Sequence, residues 1–363
     1  MKKNKNYVDL KDQPVPEGQH LLEVDDLKMY FHTEDGVVRA VDGVSYTLDR
    51  GETLGVVGES GSGKSVTAMT IMGLISMPPG KIEGGDVRYR GRSILEMTEE
   101  EMQHIRGNDI AMIFQDPMTS LNPVYKIGKQ VGEGLRLHRG YSKQEALKRA
   151  TELLDLVGIP EPEKRVNEYP HQFSGGMRQR VMIAMALACD PDILIADEPT
   201  TALDVTIQAQ IIELMQEMQE KNGNAIIMIT HDLGVVADMA DKIMVMYAGR
   251  PVEFGTAEEI FYESRHPYTW GLIRSIPEQA IEEKKPLTPI HGNPPSLMNL
   301  PEGCVFSPRC PYATDKCRKQ RPERVVTESG HYSACHYSDD PEFLKNAPET
   351  SRTRKDSKKG GEA

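Results

Sequence analysis

The stretch GESGSGKS, from Gly58 to Ser65, constrains this 363-residue chain more than any other feature. It matches G-x-x-x-x-G-K-[S/T] and lies between a strand-like run, ETLGVV, and a helix-like run, VTAMTIMGL. Glycines let such a loop curl so that backbone N–H groups point at bound phosphates, while Lys64 adds positive charge and Ser65 can bind magnesium. A simple Gly/Ser turn is the alternative, but this setting predicts a phosphate-binding site. Its predicted members are Gly58, Ser60, Gly61, Ser62, Gly63, Lys64 and Ser65.

An acidic pair follows a second strand-like run, in the segment DILIADEPT. A buried strand there would deliver Asp197 and Glu198 to the edge of a sheet. Asp197 could then hold magnesium through water, and Glu198 could polarise the attacking water. Alone, such a pair more often caps a helix. Together with the phosphate-binding loop, it predicts nucleotide hydrolysis.

The pattern of the chain predicts an α/β fold, with short aliphatic runs alternating with helix-like segments. Such runs suit strands that are buried on both faces of a parallel sheet. We expect a nucleotide-binding domain over residues 20–265, with a helical insertion over 116–172 that includes a capping box from Ser142 to Glu145. Residues 1–19 are expected to form a loose arm. Residues 266–345 hold 11 of the 24 prolines and predict a loop-rich extension, followed by a disordered tail over 346–363.

Charge and hydropathy narrow the class of protein. The formal net charge is -12, from 55 acidic and 43 basic residues, which argues against nucleic acid as the main partner. No run approaches the roughly 20 apolar residues of a membrane-spanning helix, and the basic N-terminus is not followed by an apolar stretch. We therefore expect a soluble or peripheral protein of the cytoplasm, where clustered cysteines favour metal over disulfides.

Four of the five cysteines lie close together near the C-terminus, whereas Cys189 lies in an apolar run and is expected in the core. Intervening segments of five, six and seventeen residues separate the four. Structural zinc more often uses short loops between paired ligands, and wider spacing is compatible with an iron–sulfur cluster. Reduced thiols or artefactual disulfides are the third possibility. The candidate ligands are Cys304, Cys310, Cys317 and Cys335.

The segment FSGGMRQR, from Phe173 to Arg180, resembles the signature motif of ATP-binding cassette (ABC) ATPases. Two glycines that open a helix expose N–H groups suited to a γ-phosphate. The resemblance implies that Ser174, Gly175 and Gly176 meet ATP held by a second ATPase across a dimer. Met177 departs from the glutamine that is common there, which leaves the phosphate contacts of the motif in place.

Other segments resemble further motifs of the same family, and their order along the chain agrees with it. The resemblance implies that Gln115, in MIFQDP, senses magnesium and that Asp204, in TALD, lies in a loop crossing the dimer interface. It implies that His231, in MITHDL, contacts the γ-phosphate. Phe31, in KMYFHTEDG, falls where the family has an aromatic residue stacked on adenine, with Tyr30 as a rival and core packing as an alternative.

The segments HPYTWGLIRSIP and GNPPSLMNLPEGCVFSPRCPYA resemble the C-terminal extension of ATP-binding subunits of bacterial oligopeptide and dipeptide permeases. The likeness covers about residues 20–340 and implies a D-type subunit of a peptide importer, peripheral to the cytoplasmic face of the membrane. The implied partners are a second, F-type ATPase, two transmembrane permease subunits and, indirectly, an extracytoplasmic peptide-binding protein. The implied cofactors are ATP, Mg²⁺ and a [4Fe–4S] cluster in the extension.

Other functions remain open at this point. A non-transport cassette that acts on nucleic acid would require a basic stripe, and none is apparent. A non-catalytic regulatory module fits poorly with Glu198 and His231 both present. Within the transporter class, nickel or another solute is an alternative to peptides.

Overall fold

The computed structural model describes residues 10–11, 13–116, 120–200, 205–276 and 289–348. These residues form strands and helices in alternation, so the predicted α/β class is confirmed. The strands are β1 (Leu22–Thr33), β2 (Gly36–Leu48), β3 (Thr53–Val57), β4 (Gly80–Tyr89), β5 (Arg92–Ser93), β6 (Ile110–Ile113), β7 (Ile193–Asp197), β8 (Ala225–Thr230), β9 (Lys242–Tyr247), β10 (Arg250–Thr256), β11 (Val325–Val326) and β12 (Tyr332–Ser333). The helices are α1 (Lys64–Ile71), α2 (Glu99–Ile105), α3 (Ile127–His138), α4 (Lys143–Leu156), α5 (Pro162–Arg165), α6 (Gly175–Leu187), α7 (Val205–Asn222), α8 (Leu233–Ala237), α9 (Ala257–Tyr262), α10 (Pro267–Ile273), α11 (Asp315–Lys319) and α12 (Pro341–Leu344).

The main sheet has eight strands in the order β11-β12-β10-β9-β3-β8-β7-β6. The five strands from β9 to β6 are parallel, while β10 and β12 run antiparallel to their neighbours. Every residue of β3, β7 and β8 is buried, as their continuous apolar runs predict. Because the carboxyl ends of parallel strands share one edge, the loops after β3, β7 and β8 lie close together.

A second sheet of four antiparallel strands, in the order β2-β1-β4-β5, packs beside the first. One buried core joins the inner faces of these two sheets, and a larger core lies on the other face of the main sheet. The larger core extends into the helices α3 and α4 of the predicted insertion, and into α6, which follows it in the chain. Helix α4 begins at the predicted capping box: Ser142 accepts a hydrogen bond from the Glu145 N–H, and Glu145 accepts one from the Ser142 N–H.

The C-terminal appendage (residues 266–345) forms short elements joined by loops in its described parts, 266–276 and 289–345. Its first helix, α10, begins after His266, whose Nδ1 accepts a hydrogen bond from the Tyr268 N–H. The appendage adds β11 and β12 to the main sheet, since β12 pairs with β10. Trp270, on this helix, is fully buried, and its ring packs against the rings of Tyr312 and Phe343. The appendage is therefore continuous with the main sheet and core.

The chain ends differ from the expectation of a loose arm and tail where the structure describes them. Leu10 is buried, and the Lys11 ammonium donates to the carbonyl oxygens of Asn108 and Cys189 at 3.2 and 3.1 Å. The expectation of a loose arm is thus wrong for these two residues. Leu10 is held by burial of its apolar side chain, and Lys11 is held by its hydrogen bonds to backbone carbonyls. At the other end, the Arg274 guanidinium donates to the Asn346 carbonyl, and residues 349–363 lie outside the described part.

Across the described ranges, no helix combines the length and the apolar composition that a membrane crossing requires.

Candidate active site

The phosphate-binding loop joins the end of β3 to the start of α1, as predicted. Two of its glycines are required by their surroundings. Gly58 has a φ of 152° and Gly63 a φ of 101°, a region that side-chain-bearing residues rarely adopt. A Cβ at Gly58 would lie 2.2 Å from the Met246 carbonyl oxygen, and one at Gly63 would lie 2.3 Å from the Ala40 carbonyl oxygen. The loop therefore passes so close to neighbouring backbone that only glycine fits.

Lys64 and Ser65 lie at the C-terminal end of this loop and face inward. The Lys64 ammonium donates to the carbonyl oxygens of Gly58 and Glu59 at 2.6 and 3.0 Å. Burial lowers the pKa of Lys64, and the carboxylates of Glu198, Asp197 and Glu59 oppose that shift. The Ser65 hydroxyl donates to Asp197 Oδ1 at 2.9 Å. Lys64 thus closes the loop on itself, with its charge beside the acidic pair.

The acidic pair lies at the end of β7, opposite Ser65. Burial raises the pKa of Asp197, the charge of Glu198 adds to the shift, and the Ser65 hydrogen bond opposes it. Glu198 has a φ of 48°, and its N–H donates to the Ile229 carbonyl of β8 at 2.8 Å. This left-handed backbone is costly for a residue other than glycine. It turns the chain sharply out of the strand directly after Asp197.

Two polar side chains from other loops meet the Glu198 carboxylate. The Gln115 Nε2 donates to Glu198 Oε2 at 3.0 Å, and His231 Nδ1 lies 3.4 Å from Glu198 Oε1. Gln115 follows β6 and His231 follows β8, so the topology of the main sheet delivers all three residues to one edge. The His231 side chain is 63% exposed, which leaves it open to a ligand. The arrangement can hold a water molecule beside a γ-phosphate.

The predicted signature turn lies at an exposed helix start. Ser174 is the N-cap of α6, and its hydroxyl accepts a hydrogen bond from the Met177 N–H at 3.3 Å. Ser174 and Gly175 are exposed, whereas Phe173 just before them is buried. A Cβ at Gly175 would meet nothing within 4 Å. The start of α6 at Ser174 and Gly175 is therefore accessible to a group outside the chain, and Gly176 is partly exposed beside it.

The two remaining predictions for the nucleotide site concern the aromatic residue on adenine and Asp204. Phe31 lies on β1 opposite Val38 and is partly buried against the core between the sheets, so its role on adenine stays a prediction. Its rival, Tyr30, donates from its hydroxyl to Asp42 Oδ1 at 2.9 Å. Asp204 lies outside the described residues.

The four clustered cysteines line one small cavity in the appendage, together with His266 and Phe306. All five cysteines of the chain are free thiols, and Cys189 is buried in the core as expected. Burial raises the pKa of Cys310 to about 11 and that of Cys335 to about 12. In the described part of the chain, no group of three or more His, Cys, Asp or Glu side chains is placed to hold a metal ion. The donor set fits a four-thiolate group in chemistry, but it does not converge on one ion.

Contacts between the appendage and the phosphate-binding loop were missed by sequence reasoning. The Glu59 N–H donates to the Tyr268 hydroxyl oxygen at 2.8 Å, and Arg309 pairs with the Glu59 carboxylate. Arg309 follows Glu59 by 250 residues, and no local pattern marks either residue. A charged residue inside the loop motif is the only signal that sequence offered.

Comparison with known protein families gives two matches. Residues 41–201 match the family model described as ABC transporter, and residues 252–317 match the one described as oligopeptide/dipeptide transporter, C-terminal region. Among solved structures, the dimeric post-hydrolysis state of the ATP-binding cassette MJ0796 bound to ADP and Pi aligns with a TM-score of 0.59. It is 29% identical and covers 65% of this chain and 98% of that one.

Two curated relatives cover most of the chain. The oligopeptide transport ATP-binding protein OppD of Bacillus subtilis (strain 168) is 58% identical over 86% of this chain and 87% of its own length. The dipeptide transport ATP-binding protein DppD of Escherichia coli (strain K12) is 52% identical over 87% of this chain and 96% of its own length. The chain therefore belongs to the ABC transporter family, in its group of oligopeptide and dipeptide transport ATP-binding proteins.

Proposed function

We propose that this chain hydrolyses MgATP to drive the import of oligopeptides or dipeptides. The observation that carries the proposal is the meeting of Gln115 and His231 at the Glu198 carboxylate, beside the phosphate-binding loop. The matched transporter-type C-terminal region supports peptides as the substrate class.

The loop N–H groups and Lys64 would bind the β- and γ-phosphates, with Lys64 exchanging its two carbonyl partners for phosphate oxygens. Ser65, Gln115 and Asp197 would hold magnesium, which supplies charge neutralisation on the phosphates when bound. The hydrogen bond between Ser65 and Asp197 supports this set, because it places a hydroxyl and a carboxylate together at the edge of the loop. Glu198 would orient and polarise the attacking water, and His231 would donate a hydrogen bond to the γ-phosphate.

A second ATPase would complete the site. Ser174 and Gly175 are exposed and Gly176 is partly exposed at a helix N-terminus, where the helix dipole favours an anion. We infer that they meet ATP on an F-type partner subunit, with Asp204 in the loop between the two. The exposed turn supports binding across an interface over binding within the chain.

The assembly would lie on the cytoplasmic face of the membrane, against two transmembrane permease subunits that receive peptide from an extracytoplasmic binding protein. The net charge of -12 speaks against a nucleic-acid partner. Reconstitution of the full complex in proteoliposomes tests this function. Peptide added with the binding protein should stimulate ATP hydrolysis and peptide uptake, and Lys64→Ala should abolish both. Co-purification with nucleic acid, or hydrolysis without any transport, would contradict it.

We propose further that Cys304, Cys310, Cys317 and Cys335 hold a [4Fe–4S] cluster, because the four thiols line one cavity of the appendage and four cysteines are the ligand set of such a cluster. Anaerobic purification should give about four irons and four sulfides per chain, with visible absorption. Serine at any of the four positions should remove this content, whereas the control Cys189→Ala should keep it. One zinc per chain, or no metal, would contradict the cluster.

A further inference from the structure

Glu59, the second residue of the phosphate-binding loop, is held at all three of its polar groups. Its N–H donates to the Tyr268 hydroxyl at 2.8 Å, and its carbonyl accepts from Lys64 at 3.0 Å. Its carboxylate accepts two hydrogen bonds from Arg309, one to each oxygen, with Nη2 to Oε1 at 3.0 Å. Two of these three partners belong to the appendage. The loop is therefore anchored from outside the cassette core.

Apart from Glu59, Arg309 makes most of its contacts with the appendage itself. Its side chain is 4% exposed, and it donates to the carbonyl oxygens of Ile290 and His291 at 3.2 and 2.9 Å. The guanidinium also lies 3.4 Å from the Tyr247 hydroxyl, at the end of β9. A planar guanidinium with five donors can satisfy a carboxylate and several carbonyls together, which the ammonium of lysine cannot. Arg309 thus links the appendage rigidly to the loop.

The position of this link is more informative than its strength. A buried ion pair is weak evidence for stability, since an apolar pair of similar volume often serves as well. This pair, however, acts on the residue just before Ser60, where the loop begins its curl around the phosphates. A loop that is fixed before the ligand arrives loses less freedom on binding, so its affinity is higher.

We propose that Arg309 is a positioning residue for ATP: it fixes Glu59, and through it the phosphate-binding loop, so the appendage forms part of the nucleotide site. This inference rests on the proposed ATP function of the same loop. It also has a reciprocal consequence. If the appendage raises the affinity for MgATP, then MgATP must stabilise the appendage by the same factor. Because Cys310 directly follows Arg309, this coupling would reach the cysteine cavity.

The first test is MgATP binding to the full-length chain by calorimetry. Arg309→Ala should raise the Kd about tenfold, and Arg309→Lys should fall between the variant and the wild type, since charge remains but the double contact is lost. The matched control is Arg318→Ala, which removes an exposed appendage arginine paired only locally with Asp315. A wild-type chain that binds no MgATP would refute the proposed function. Normal binding by both Arg309 variants would refute this inference alone.

A second measurement separates positioning from folding. Hydrogen exchange of backbone amides in residues 304–320 should slow when MgATP is added to the wild type. In Glu59→Gln, which keeps the side-chain shape but removes the charge, this slowing should be largely lost. Circular dichroism of the variants shows whether they fold. Retained MgATP protection of residues 304–320 in folded Glu59→Gln would overturn the proposal.

Discussion

The two ends of the phosphate-binding loop are held by different kinds of contact. At the C-terminal end, Lys64 and Ser65 lie beside the acidic pair, and the nearby His231 side chain is 63% exposed. At the N-terminal end, Glu59 meets Tyr268, which is fully buried, and Arg309, which is 4% exposed. We call the first the open end, because His231 beside it is exposed, and the second the closed end, because the partners Tyr268 and Arg309 are buried; the Glu59 side chain itself is 29% exposed.

This difference follows from what each end must do. In the proposed cycle, Lys64 would release the carbonyls of Gly58 and Glu59 to bind phosphates, and Ser65 would exchange partners when magnesium binds. The exposed ring of His231 lies near these contacts, although Lys64 itself is buried. The contacts of Glu59 with Tyr268 and Arg309 need not change, so they can be multiple and can involve buried partners. If chemistry and anchoring separate in this way, substitutions at the two ends should change different quantities.

The largest effect is expected at the open end. Glu198→Gln keeps the hydrogen-bonding shape but removes the carboxylate that polarises water, so ATP turnover of the assembled complex should fall by roughly 10²–10⁴-fold. MgATP binding should persist, because the loop is intact. Phosphate release and calorimetry measure the two quantities. Glu258→Gln, at an exposed position on α9, is the control. Undiminished turnover in Glu198→Gln would mean that another group is the base.

Trp270→Ala tests the closed end through its support. The ring is fully buried, and its Nε1 donates to the Ser264 carbonyl at 2.9 Å. Removing it should lower the free energy of unfolding by about 3–5 kcal/mol and weaken MgATP binding, since Tyr268 lies on the same helix. Circular dichroism during urea titration is the appropriate measurement, because this is the only tryptophan of the chain.

Leu154→Ala provides the matched comparison for that variant. Leu154 is also fully buried, but it lies in α4 of the helical insertion. Its loss should cost about 2–5 kcal/mol of stability without changing the Kd for MgATP, measured where both variants are folded. Equal weakening of binding by both variants would show that general destabilisation, and not the appendage, affects the loop.

An acid-sensitive ion pair joins Arg250, at the start of β10, to Asp42 of β2. Asp42 is buried, which raises its pKa, but hydrogen bonds and charge from Arg250 together with the Tyr30 hydroxyl leave the pKa below its ordinary 3.8. A depressed carboxyl pKa adds stability above the ordinary value and loses it as the pH falls through the folded value. We expect stability below about pH 4 to fall by at most about 1.4 kcal/mol per pH unit from this group.

Asp42→Asn should be less stable than the wild type at neutral pH and should lack this share of the acid dependence. Urea titrations at several pH values between about 2.5 and 7 measure both effects. Asp315→Asn, whose carboxylate is exposed and paired locally with Arg318, is the control and should behave as the wild type. Parallel pH curves for the wild type and Asp42→Asn would contradict the assignment.

Sequence predicted the open end of the loop far better than the closed end. Lys64 is joined to β3 by the loop motif, Asp197 is the last residue of β7 and Glu198 follows it directly, so a strand pattern and one motif suffice to place them at the same sheet edge. Gln115 and His231 also follow strands, and the structure brings both to Glu198. Their catalytic roles remain predictions, but their proximity follows from parallel topology alone.

The closed end could not be predicted because it depends on side-chain contacts between distant segments. Arg309 lies among prolines and cysteines, and nothing in that local sequence marks it as a partner of the phosphate-binding loop. The same limit applies to Leu10 and Lys11, which are docked by tertiary contacts that no periodicity announces. The cysteines illustrate the intermediate case: their clustering in sequence predicted that they act together, and all four line one cavity, but the group that they hold remains a prediction.

The smallest effect is expected from a single hydroxyl at the closed end. Tyr268→Phe leaves the ring contacts with Tyr247 and Phe306 in place but removes the acceptor of the Glu59 N–H. Loss of one neutral hydrogen bond is worth about 1 kcal/mol, or roughly a fivefold rise in the Kd for MgATP. Tyr337→Phe, which loses a hydroxyl contact with Thr314 elsewhere in the appendage, should leave the Kd unchanged.

Combining Tyr268→Phe with Arg309→Ala shows whether the contacts of Tyr268 and Arg309 with Glu59 contribute jointly or independently to the affinity for MgATP. Both hold Glu59, so we expect the double variant to bind MgATP more tightly than the sum of the single losses predicts, because the first loss already frees the residue. Strict additivity would mean that the N–H and the carboxylate are held independently. A Tyr268→Phe chain with normal affinity and reduced stability would reduce the anchoring of this end to the ion pair alone.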